Sequence, residues 1–138
     1  MKSTVKSLLC IILVLQVLCA CSNEDEKPDP YLSPDTALDY ALDSLYAHNY
    51  DVYIRSVALE NGRHVLHEDV MSNLLKQHVQ FIEEEKGEVV SCDIVRTDYQ
   101  TDSLATVYYQ LSFSSGATEV SSQKMMCQNG EWKLRIRN

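Results

Sequence analysis

Four groups of side chains in this 138-residue sequence have the types and spacing to do chemistry. Cys19 and Cys21 stand where an apolar run beginning at Val14 meets the acidic stretch Ser22-Asn23-Glu24-Asp25-Glu26, so a reactive thiol sits at a change of environment. His64, His67, Glu68, Asp69 and His78 are the possible metal ligands. His64 and His67 have two residues between them, but no second ligand pair follows at a recognised spacing, and no metal is assigned. Asp93 and Asp98, with Tyr53 and Tyr108, are the possible acid–base groups. Asp93 alternates with apolar positions and should point outward, and Asp98 falls in an expected turn, so no catalytic residue is assigned. Lys124, Lys133, Arg135 and Arg137 alternate with apolar residues and form a basic face. That face could receive an anion, an acidic partner or lipid headgroups, or it could be only a solvated outer surface.

The segment that carries the first group reads as a targeting device. Lys2 and Lys6 precede a run from Ser7 to Ala20 that is apolar except for Gln16, the layout of a secretory signal peptide. At ~1.5 Å per residue a helix needs ~20 residues to cross a hydrocarbon core, and this run is shorter. Leu18-Cys19-Ala20-Cys21 resembles the bacterial lipobox. The resemblance implies cleavage before Cys21, a lipid on its sulfur and an acylated new N-terminus. The acidic run after it resembles the export signal of surface lipoproteins in one phylum of gut-associated Gram-negative bacteria. The expected place is therefore the outer membrane of such a cell, with surface and periplasmic leaflet both open. The expected organisation is a signal peptide over 1–20, a lipidated cysteine with an acidic, proline-containing linker over 21–32, and one folded domain over 33–138.

The whole chain carries 12 basic and 20 acidic residues, a net charge of −8. Loss of Lys2 and Lys6 with the signal leaves 10 basic residues and a charge of −10, which disfavours nucleic acid as a partner. There is no nucleophile motif and no phosphate-binding glycine loop, so no cofactor is expected.

The elements that must position these groups follow from periodicity. Ser33-Pro34-Asp35 starts a helix, with Leu38, Ala41, Leu42 and Leu45 on one stripe and Asp35, Asp39 and Asp43 on a face turned to water. Asp51 is expected to cap a second, short helix carrying Tyr53 and Val57. A third helix from about His67 to Lys86 should bury a wide side made of Val70, Met71, Leu74, Leu75, His78, Phe81 and Ile82. After Gly87 the period becomes two. A strand around Val90 to Val95, a turn over 97–102, and strands Leu104–Phe113, Thr118–Cys127 and Trp132 onward form an antiparallel meander. Asn129-Gly130 is the strongest hairpin signal, and a two-residue turn there pairs Cys127 with Trp132 and Met125 with Leu134. Cys92 and Cys127 then lie with a strand between them, too far apart for a disulfide, and should be buried free thiols.

Ala37, Tyr40-Ala41-Leu42, Leu45 and Asn49-Tyr50-Asp51 in the helices, with Gly130-Glu131-Trp132-Lys133-Leu134 at the end of the sheet, resemble the nuclear transport factor 2-like, or cystatin-like, superfamily. The resemblance spans about residues 33–137 and is similar to small lipoproteins of that group. It implies an α+β fold in which three N-terminal helices pack in the concave face of a curved, cone-shaped four-stranded antiparallel sheet. The implied function is a membrane-anchored, non-catalytic binding module for a small apolar or amphipathic ligand in the cone, lined by Tyr53, Val57, Tyr108, Met125, Trp132 and Leu134. A protein-interaction or envelope-assembly module, with a protein partner or a second copy, is the alternative. An isomerase or hydro-lyase is the third.

Overall fold

The computed structural model describes residues 28–136. Cys21, the signal and most of the linker, and Arg137 of the basic face lie outside the described residues. A single 3-10 turn, Pro30–Leu32, leads into α1 (Pro34–Tyr46), α2 (Tyr50–Arg55) and α3 (Glu68–Lys86). Then come β1 (Val89–Tyr99), β2 (Leu104–Phe113), β3 (Thr118–Gln128) and β4 (Glu131–Leu134), antiparallel neighbours in chain order. The fold is α+β, three helices on a curved four-stranded sheet, as the sequence implied. Among the described residues no helix is long and apolar enough to cross a membrane.

Helix starts follow the expected chemistry with small departures. Pro34 opens α1 after Ser33, whose hydroxyl bonds Thr36 Oγ1 at 2.6 Å instead of a backbone amide. α2 begins two residues earlier than expected: Asn49 is its cap and Asp51 lies inside its first turn. His67 caps α3, its Nδ1 accepting from the Asp69 amide at 3.3 Å. Gly87 ends α3 at φ +90, and a Cβ there would lie 2.3 Å from Ser114 Oγ. Both the left-handed backbone and the close approach require glycine.

The sheet bends at β1. Its pairing with β2 slips at Val90 and at Val95, which have no partner and are pushed out toward solvent. Between the slips, Cys92 and Ile94 face inward with Leu111 and Tyr109 of β2. β1 runs on through Asp98, opposite Thr106, so Asp98 is a strand residue and not part of a turn. At the other end Asn129 and Gly130 take φ of 52 and 81, as a two-residue primed turn demands. The resulting register is the expected one, Met125 opposite Leu134 and Cys127 opposite Trp132. β4 stops at Leu134, two residues short of Ile136, which is exposed.

The core lies between α1 and the inner face of β2, β3 and β4. Leu38, Ala41, Leu42 and Leu45 meet Ala105, Val107, Met125, Trp132 and Leu134. The third helix departs most from expectation. Only Val79 of α3 is buried, while Val70, Leu74 and Phe81 are 47%, 50% and 62% exposed and His78 is exposed too. Helical geometry puts Val70, Leu74 and Phe81 opposite Val79, so the side that turns inward is the narrower one with Val79, Leu75 and Ile82. α3 is tied at its end by His48 to Glu83 at 2.9 Å and by the Lys86–Glu119 ion pair.

Met125 and Leu134 are both 0% exposed and oppose each other in the β3–β4 ladder. Leu134→Ala is expected to cost about 2–5 kcal/mol, read as a shift in the urea midpoint at unchanged slope. A cost below about 1 kcal/mol would show that this layer is loosely filled.

Candidate functional site

The four-residue strand β4 would leave an open sheet edge. The chain just after α2 covers it: the Leu134 amide donates to Ser56 O and the Ala58 amide to Leu134 O, each at 2.8 Å. Val57 thereby pairs in parallel with Leu134. One residue on, Gln128 holds Leu59 from both sides. Its Oε1 accepts from the Leu59 amide at 2.9 Å and its Nε2 donates to Leu59 O at 2.8 Å. The loop from Leu59 to Leu66 then folds back toward the start of α3, closed by Glu60 and Arg63 bonding each other's backbones.

This arrangement encloses a groove of about 500 Å³, lined mainly by apolar side chains. Val57, Ala58 and Leu59 form one wall, Val65, Leu66 and Met71 another, and Met126 and Ile136 come from the sheet end. Glu60 and Arg135 are its charged groups. Two flexible thioethers and several branched side chains make a lining that can adapt to an apolar ligand. A wider, more polar hollow of about 860 Å³ lies on the same loop, beside His64, His67 and Glu68. Among the described residues no three His, Cys, Asp or Glu side chains gather closely enough to hold a metal ion.

Of the six residues expected to line a ligand site inside the cone, Val57 lines the groove. Met125, Leu134 and Trp132 are buried in the core, and Tyr53 packs against it. Tyr108 is on the opposite face of β2 from Val107 and Tyr109, with the Arg96 guanidinium 4.2 Å from its ring centre. Tyr109, one residue on, is the tyrosine that faces inward. It approaches Tyr46 and Tyr53, and burial followed by Tyr109 pushes Tyr53 up to about 12. Burial first, then Tyr109, Tyr53, Cys92 and Glu119, raises Tyr46 as well. These hydroxyls therefore stay protonated donors at neutral pH.

The basic face is divided by the structure. Lys133 Nζ donates to Arg55 O at 3.0 Å, at the end of α2, and lies 3.9 Å from the ring centre of Tyr31. It is a brace for the edge closure. Lys124 and Arg135 remain together around a smaller cavity of about 310 Å³ with Gln100 and Thr106.

Cys92 and Cys127 are free and half-buried. Cys92 opposes Leu111, which opposes Glu119, and Cys127 is eight residues farther along β3, roughly 26 Å away by strand rise. Burial first, then Asp39, Asp43 and Asp93, pushes the Cys92 thiol up to about 12. The acidic row of α1 is thus not wholly in water: Asp35 and Asp39 are half-buried and only Asp43 is exposed.

Neither any protein-family model nor any curated protein matches the sequence. Solved structures do. A protein described as a nuclear transport factor 2-like transpeptidase from Campylobacter jejuni aligns at TM-score 0.63 and 11% identity, over 76% of this chain and 99% of its own. A ketosteroid isomerase-like protein from Erwinia carotovora aligns at 0.51 and 12%, over 79% and 94%. A nuclear transport factor 2-like protein of unknown function from Shewanella oneidensis aligns at 0.50 and 14%, over 71% and 88%. The fold is therefore nuclear transport factor 2-like, and at these identities the likeness extends to the fold alone.

Burial, then Asp43, Asp93 and Asp35, raises the Asp39 carboxyl above its ordinary 3.8. A raised folded-state value means that protonation favours folding. The associated stability is full below about pH 4 and is lost as pH rises through the folded value. Asp39→Asn should raise the thermal midpoint at pH 7, with the difference closing on acidification. A lower midpoint at pH 7 would contradict this assignment.

Proposed function

We propose that the chain is a membrane-anchored lipoprotein, attached through Cys21, whose domain is a non-catalytic binding module for a small apolar or amphipathic ligand. The observation that carries the reading is the groove at the closed sheet edge. Its volume falls within the roughly 300–1,000 Å³ of small-molecule sites, and its lining is apolar with few charged groups. The ligand belongs at the mouth of the cone, since Met125 and Leu134 fill the interior beneath it. The proposed location is the outer membrane of a Gram-negative cell, with the acidic linker holding the domain clear of the lipid.

Native mass spectrometry of the chain recovered from its host should show a reproducible added mass that disappears on unfolding. Leu66→Asp, at an exposed position in the groove wall, should abolish the added mass without lowering the thermal midpoint. An added mass that survives this substitution would place the ligand elsewhere and contradict the reading.

A second reading, an interaction module, is favoured by the outward stripe of Val70, Leu74 and Phe81 on α3. Apolar side chains in a row on a surface mark contact sites more often than singly exposed ones do. If the stripe joins two copies, sedimentation should show a dimer that Leu74→Glu dissociates. A monomer at all concentrations would remove the second copy as the partner.

A further inference from the structure

Several cations among the described residues have partners. Lys86 pairs with Glu119, Arg96 with Asp98 and the Tyr108 ring, and Lys133 with Arg55 O and the Tyr31 ring. Arg135 differs. Its backbone is held on both sides, the amide donating to Lys124 O at 2.8 Å and the carbonyl accepting from Gln123 Nε2 at 3.0 Å. Among the described residues its guanidinium has no carboxylate within ion-pair distance, although the chain has 20 acidic residues to 12 basic. It is half-buried and lines both the apolar groove and the smaller cavity that contains Lys124.

Resting on the groove reading, we propose that the ligand is a single-chain amphiphile with a terminal carboxylate, and that Arg135 binds this headgroup. The hydrocarbon lies against Leu59, Val65, Leu66, Met71, Met126 and Ile136, and the carboxylate meets the guanidinium at the end of the groove. Two features converge on this class. A guanidinium fork matches a carboxylate in two parallel hydrogen bonds, and partial burial strengthens them relative to water. The backbone bonds at residue 135 hold the base of the side chain, so less freedom is lost on binding. A guanidinium also pairs with phosphate, so decyl phosphate is the competing headgroup in the test.

The test compares decanoate, decanol and decyl phosphate on the whole chain carried in phosphatidylcholine nanodiscs, with empty nanodiscs subtracted. Decanoate should bind about tenfold or more tighter than decanol, the span expected of a charge-assisted hydrogen bond. Arg135→Gln should weaken decanoate binding far more than decanol binding at an unchanged thermal midpoint, and so shrink that difference, and Arg135→Lys should retain part of it. Equal binding of decanoate and decanol, both weakened by Leu66→Asp, would overturn the headgroup assignment and leave the groove standing. Tighter binding of decyl phosphate would overturn the carboxylate. No binding of any of the three would overturn the groove reading along with the inference built on it.

Discussion

The structure depends on how the open edge of β4 is closed. A four-residue strand with exposed amides and carbonyls would invite another chain, and Ser56, Val57 and Ala58 occupy that position with two backbone hydrogen bonds to Leu134. Three side-chain contacts hold the closure in place. Gln128 clasps Leu59, Lys133 reaches the end of α2, and the Tyr31 hydroxyl meets Ser56 Oγ at 3.2 Å. The helical half of the chain is thereby fastened to the last strand of the sheet. Contacts from residues 31 to 134 become one unit.

The same closure decides where a ligand can go. Because Val57 and Leu134 are drawn together, Leu134, Met125 and Trp132 are sealed beneath α1 as core. Space that a wider cone would have inside is displaced to its mouth, where the chain leaves the sheet and turns toward α3. The loop over 59–66 then supplies apolar side chains that would otherwise lack a partner, and Arg135 comes to the boundary between two cavities. Edge protection and cavity formation are two outcomes of one set of hydrogen bonds. This differs from a buried polar site, since the inward tyrosines Tyr46, Tyr53 and Tyr109 sit apart from the groove lining.

Sequence revealed most where local chemistry is strict. Asn129-Gly130 fixed a turn type, the turn fixed a register, and the register placed Met125, Cys127, Trp132 and Leu134 on one face. It revealed less where both faces of an element are apolar or aromatic. In β2 the outward Leu104 and Tyr108 look no more polar than the inward Ala105 and Tyr109, so alternation alone does not distinguish them. In α3 the apolar side is broader than the surface available to cover it, and only packing with α1 and α2 decides that Val79 is in and Phe81 is out. The groove is assembled from positions as distant as Val57, Met71, Met126 and Ile136, which no local pattern joins. A hint was present in Leu59, Val65 and Leu66, apolar residues on either side of a Glu60-Asn61-Gly62 break where a plain surface loop would be polar.

Native-state hydrogen exchange at the Ala58 and Leu134 amides addresses the edge closure most directly. If Ser56–Ala58 is a true continuation of the sheet, both amides should exchange only through global unfolding, with the same denaturant dependence as Val107 in the central strand. Exchange of Ala58 at loop-like rates, with Val107 still protected, would mean that the closure opens on its own. In that case the groove wall would not be preformed, and the account of the site would fail with it.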